Sequence, residues 1–187
     1  MRGMMDKSVA EDKMDRTLFA RQGWVGARKL ALLAGLACFG LLGTGYFLEF
    51  VQNLHPCPLC VVQRGVLYLL GVSFLLTAWV ANGQRTLRVA QVVLALFSLL
   101  GVALAGRHIW IQQHPELAIP SCFAGLEAMF DELPLPRFFQ SLLNGTVECS
   151  KIDWSFLGLS IPQWTLLWFI AFFVLGLVLP KFALRRR

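Results

Sequence analysis

The ten residues "HPCPLCVVQR", His55 to Arg64, hold two cysteines three positions apart, with a proline on either side of the first. A Cys-x-x-Cys pair carries thiol–disulfide chemistry or offers thiolates to a metal. Cys122 and Cys149 lie downstream, and Cys38 sits inside an apolar run. Four cysteines allow three pairings. Joining Cys57 to Cys60 and Cys122 to Cys149 keeps each pair within one loop, with exchange between the pairs during turnover left open. A zinc bound by four thiolates is a second reading, although 26 residues separate Cys122 from Cys149 and make no second close knuckle. Purely structural disulfides are a third, but a bridge across so short a spacing constrains little. Cys38, between Ala37 and Phe39, reads as a small packing residue.

These thiols must be positioned at a membrane. The 187-residue chain is 57% hydrophobic and 15% charged, with a mean hydropathy of +0.62, against about 45–50% and about 25% for soluble domains. A helical span takes roughly 20 apolar residues. Four blocks qualify: about 30–51, 61–81, 87–109 and 161–179. They predict an all-α membrane protein, an antiparallel four-helix transmembrane bundle. A polar segment, 1–29, precedes the membrane domain of 30–179, and a basic tail, 180–187, follows it. Residues 1–23 are expected to be disordered. The first block is too long, and its polar lead too mixed in charge, for a cleaved signal.

Basic residues stay on the cytoplasmic side of short loops. Lys and Arg crowd the segment before span one, the link "NGQRTLR" and the tail, whereas the stretch 110–160 has only Arg137 and Lys151. Both termini are therefore expected inside, with a short loop, 52–60, and a long loop, 110–160, outside. The four loop cysteines then lie where disulfides persist. The pI near 9.4 follows from this topology and gives no sign of nucleic-acid binding.

If span two begins near Pro58, proline occupies the helix position it suits best. Cys57 is then the cap and Cys60 lies in the first turn, where the helix dipole favours a thiolate. Arg64 is four residues after Cys60, on the same face. It can snorkel to the headgroups, stabilise a thiolate, or hydrogen-bond a polar ligand arriving from the lipid. Glu49 is a boundary carboxylate that can pair with Arg64 or line a polar pocket. His55 and His114 read as solvated loop residues. In the long loop, "LPLPRFFQSLLNG" predicts a short amphipathic helix with Phe138, Phe139, Leu142 and Leu143 on one face, lying in the headgroups or against the bundle. "HPELAIPSCF" predicts an extended arm, and Asn144-Gly145 a turn.

"PCPLCVVQR", the second cysteine pair and "DWSFLGLSIPQW" together resemble the disulfide bond formation protein B family, from about Trp24 to about Leu179. The resemblance implies an inner-membrane thiol:quinone oxidoreductase that reoxidises a periplasmic DsbA-type thiol oxidase and passes two electrons to ubiquinone or menaquinone. It implies catalytic roles for Cys57, Cys60, Cys122 and Cys149. Cys122 would be attacked by the partner's thiolate, and Cys149 would then attack Cys60 or Cys57. It implies quinone contacts for Arg64 and, in "GRHIW", His108, with no metal. Such a partner sits at about −120 mV against roughly −200 mV or lower for glutathione pools, so glutathione lies uphill as acceptor. A lipid-dissolved quinone is a better sink, and no G-x-G-x-x-G flavin motif is present. Two other functions stay open: a quinone reductase of the vitamin K epoxide reductase type, and a non-enzymatic metal-binding assembly factor. The first places its Cys-x-x-Cys after the loop cysteines, whereas here it precedes them.

Overall fold

The computed structural model describes residues 2–53, 56–80, 83–117, 147–152 and 154–184. Four long helices dominate: α1 (Arg2–Gln52), α2 (Pro58–Val80), α3 (Gln84–Gln113) and, last in the chain, α5 (Ile161–Leu184). A 3-10 turn (Pro115–Leu117) follows α3, and a short helix, α4 (Val147–Ser150), precedes a two-stranded hairpin of β1 (Ser155–Phe156) and β2 (Leu159–Ser160). All four long helices contain stretches apolar and long enough to cross a membrane: Gly23–Gln52, Pro58–Val80, Gln84–Gln113 and Ile161–Lys181.

The helices outrun the apolar blocks that mark them. Backbone N–H and C=O groups must be satisfied through the interfacial layer too, so a helix ends at a cap and not where hydropathy falls. The expected disorder of residues 1–23 is corrected: the backbone is helical from Arg2. That stretch lacks proline and is rich in Met, Arg, Lys and Ala, residues of high helix propensity, so span one propagates into it. The last residues, 185–187, and most of the long loop lie outside the described residues.

Neighbouring contacts run α1/α2, α2/α3, α3/α5 and α5/α1, closing a four-helix ring. Phe74, Leu70, Leu94, Phe169 and Ile111 fill its interior, with the Phe74 and Phe172 ring centroids 5.7 Å apart. The outward faces carry Leu33, Leu36, Phe50, Trp79 and Leu96, from 61% to 83% exposed. Water would not tolerate so continuous an apolar surface; lipid does.

Lipid tails are as apolar as leucine, so close van der Waals packing at small residues carries helix association. A Cβ at Gly35 would lie 2.7 Å from Leu75, one at Gly71 3.0 Å from the Cβ of Cys38, and one at Gly101 2.3 Å from Phe169. Cys38 is thus a small residue in the α1/α2 seam, fully buried, as its surroundings in the sequence suggest. Gly101→Val should lower stability by about 1–3 kcal/mol through overpacking, read as a lower Tm in detergent. Gly106→Ala, whose Cβ meets nothing within 4 Å, should leave Tm unchanged.

Candidate redox site and quinone pocket

The site begins with how α1 stops and α2 starts. Asn53 takes a left-handed conformation, φ 51°, a backbone that Asn tolerates and that ends helices. After the turn, Pro58 opens α2, as its helix preference predicts. Cys57 is the cap: its carbonyl accepts the Val61 N–H at 3.2 Å, and its sulfur accepts the Cys60 N–H at 3.3 Å. A thiol therefore fills the role usually held by a Ser or Asp oxygen. The two sulfurs are 3.1 Å apart.

Cys149 is carried by α4 and is fully buried, with its side chain hydrogen-bonded to Cys57. The Cys57 thiol is pushed up by this bond first, then by its bond to Cys60 and by burial. Charge on one of three touching sulfurs opposes charge on the next, so Cys57 keeps its proton.

His108, on α3, is 2% exposed, with Nε2 3.7 Å from the Cys57 sulfur. Its Nδ1 lies 3.3 Å from the amide nitrogen of Gln63. The donor atoms of Cys57, Cys60 and His108 all lie within 4.8 Å of one another, close enough for one thiophilic cation to reach all three. Arg64 forms an ion pair with Glu49, donates to the Gly45 carbonyl at 3.0 Å and lies over the Tyr46 ring, 5.0 Å from its centroid. Both roles open to Glu49 in the sequence are observed: it pairs with Arg64 and lines the pocket.

These groups border a cavity of about 350 Å³, within the size range of small-molecule sites. Cys60, Arg64 and His108 form its polar end, and Leu41, Leu48, Leu67, Trp168 and Phe169 its apolar walls. Trp154 and, from the β1–β2 hairpin, Phe156 also line it; the hairpin turns at Leu157 (φ 54°) and Gly158 (φ 79°). Trp164 Nε1 donates to the Phe156 carbonyl at 3.1 Å. Gln63 is 4% exposed and accepts from the Thr165 hydroxyl at 3.0 Å.

The fold thus gathers Cys57, Cys60, Cys149, Arg64 and His108. His114 stacks on Trp110, centroids 4.3 Å apart, away from the cavity. Cys122, His55 and the amphipathic segment near Phe138 lie outside the described residues. Gln63, Thr165, Gln112 and Trp154, which line the cavity, escaped the sequence reading. Gln63 had a usable signal, being a polar residue within an apolar span, where such residues mark function. Ser160-x-x-Gln163 had another: the Gln163 side chain accepts the Ser160 N–H at 2.8 Å, one half of a capping box.

The profile of the family described as disulfide bond formation protein DsbB matches residues 27–179. Disulfide bond formation protein B of Xylella fastidiosa (strain Temecula1) is 37% identical over 161 residues, covering 86% of this chain and 93% of that protein. The Hahella chejuensis protein of the same name is 41% identical over 150 residues, covering 80% and 90%. Disulfide bond formation protein B 1 of Pseudomonas aeruginosa PAO1 is 40% identical over 159 residues, covering 85% and 96%. A thiol cluster at the mouth of a four-helix membrane bundle, matched along nearly its whole membrane domain, means that this chain belongs to the DsbB family of membrane oxidoreductases that generate disulfide bonds.

Proposed function

We propose that the chain oxidises a periplasmic DsbA-type thiol oxidase through Cys122 and Cys149, and passes the electron pair through Cys57 and Cys60 to ubiquinone or menaquinone. Both loops then face the periplasm of a bacterial inner membrane and both termini the cytoplasm, the orientation supported by the distribution of Lys and Arg. The observation that carries the reading is the convergence of Cys60, Arg64 and His108 on one largely apolar cavity, with Cys149 held against Cys57 on its other side.

The partner's thiolate attacks the Cys122 sulfur of a Cys122–Cys149 disulfide, forming a mixed disulfide and releasing Cys149. Cys149 attacks Cys57 of the Cys57–Cys60 disulfide, forming Cys57–Cys149 and releasing Cys60. The contact between Cys149 and Cys57 favours Cys57 over Cys60 as the sulfur attacked. The partner's second thiolate then attacks its own sulfur in the mixed disulfide, leaving the partner oxidised and Cys122 free. Cys122 attacks Cys149, restoring the loop disulfide and completing the reduction of Cys57. A quinone, when bound, accepts two electrons and two protons. The cavity suits one: the Arg64 guanidinium and the His108 ring can hydrogen-bond carbonyl oxygens at the polar end, while the leucines and Trp168 border a ring and an isoprenoid tail. Glu49 and the Gly45 carbonyl hold the guanidinium in one orientation, so it meets the ligand without reorganising.

A quinone-free preparation should lose multiple turnover of a reduced partner and regain it on adding a short-chain quinone; unchanged anaerobic turnover without quinone would refute the assignment. Arg64→Ala should raise KM for quinone about 10- to 100-fold, the loss of a charge-assisted hydrogen bond, as steady-state kinetics would measure. Cys149→Ala should accumulate a covalent complex with the partner through Cys122, visible on non-reducing gels and absent in the Cys122→Ser variant. Because Cys57 holds its proton, its alkylation in the reduced protein should speed up only at alkaline pH. Removing Cys149 takes away the largest cause, so in Cys149→Ala that rise should come at lower pH, followed by mass spectrometry.

A further inference from the structure

Gln63 has no part in that electron path, yet it is buried at the centre of it. A chain of polar contacts runs from Thr165 on α5 through Gln63 on α2 and His108 on α3 to Cys57. The Thr165 hydroxyl lies 3.0 Å from the Gln63 oxygen, 2.9 Å from the Pro162 carbonyl and 3.3 Å from that of Ile161. The Gln63 nitrogen lies 3.3 Å from His108 Nδ1, and Nε2 across the ring lies 3.7 Å from the Cys57 sulfur.

A hydroxyl has one hydrogen but can also accept, and a glutamine amide has a donor end and an acceptor end of nearly the same shape. Two arrangements therefore satisfy the chain. In one, Thr165 donates to the Gln63 oxygen, the Gln63 N–H points at an unprotonated Nδ1, and Nε2 carries its hydrogen toward Cys57. In the other, Thr165 donates to the Pro162 carbonyl and accepts from a flipped Gln63 amide, whose oxygen accepts from a protonated Nδ1. Nε2 is then a free base toward Cys57, or the second N–H of an imidazolium. One glutamine thus serves the ring in both charge states, where a buried group without a partner would be costly.

We infer that Gln63 and Thr165 are positioning residues that let His108 take up and release the proton of Cys57 as the dithiol is oxidised. The inference rests on the proposed role of Cys57 and Cys60. Closing their disulfide forms one S–S bond, breaks the S–H bonds of Cys57 and Cys60 and sends an electron pair to the quinone, whose reduction consumes the two protons released. The Cys57 proton goes to His108 Nε2 and from there into the cavity that His108 lines. The other titratable groups around the ring are Cys57, Cys60 and Cys149. Arg64, Glu49 and Lys151 line the same cavity, to which α5 brings Thr165 and otherwise apolar or aromatic side chains.

The test is the pH profile of kcat for reduced partner at saturating quinone, using the full chain in detergent. A carboxylate at Gln63 favours the protonated ring, so Q63E should move the acid limb to higher pH by roughly 1–3 units. Q63L takes the acceptor from the cation and should move the limb to lower pH with a reduced maximum. T165V should lower kcat at least several-fold, and T165S should restore it. A role in packing alone would lower activity equally at every pH. Limbs that stay at the wild-type position in folded Q63E and Q63L, or move in the same direction, overturn the inference. If Q63L fails to fold, an unshifted Q63E limb with T165V as active as T165S overturns it equally. Failure of the underlying reading looks different: quinone-dependent turnover surviving in Cys57→Ser.

Discussion

The structure depends on how α2 begins. Lipid offers no hydrogen bonds, so the first N–H groups of a spanning helix need partners at the interface. Here the partner is a sulfur: Cys57 caps α2 and accepts the Cys60 N–H. The atom that closes the helix also lies 3.1 Å from the Cys60 sulfur. From that point helical periodicity ranks the rest, with Cys60 in the first turn and Gln63 and Arg64 one turn deeper. The sulfurs cluster at the helix end, and Gln63 and Arg64 line the cavity along its flank.

Arg64 shows what a guanidinium requires at that depth. Its ion pair with Glu49 of α1 and its bond to the Gly45 carbonyl occupy part of a five-donor fork and leave N–H groups for the cavity. Removing one member of a sequestered pair is usually worse than never having it, because the other charge is stranded. Gly45 contributes by lacking a side chain: a Cβ there would lie 3.3 Å from Arg64 Nε. Thus α1, which supplies no sulfur to the cluster, sets the orientation of the cation on α2.

The hairpin meets a different demand. It lines the cavity through Phe156 and leads directly into α5. Ser160 joins it to two helices, donating its N–H to Gln163 at the start of α5 and its hydroxyl to Gln112 of α3 at 2.9 Å. Trp154 and Phe156 stack nearby, 6.0 Å between centroids. α4, a single turn, carries Cys149 to Cys57.

Much of this was legible in the chain as a string. Hydropathy marks four spans because the bilayer imposes a length on apolar runs, and Pro58 with Cys57 and Cys60 announces a helix start because proline and caps act locally. Arg64 on the face of Cys60 is likewise a consequence of 3.6 residues per turn. Residues 2–22 are helical despite their mixed charge, because propensity and the adjoining span outweigh it. What the sequence by itself determined is the membrane class and the placing of Cys57, Cys60 and Arg64 at the start and on one face of α2, all set by periodicity within one segment. Only the tertiary structure decided that Glu49 holds Arg64, that Cys149 meets Cys57 and that Thr165, Gln63 and His108 form one chain, because each joins residues from separate helices whose rotation about their axes no local rule specifies.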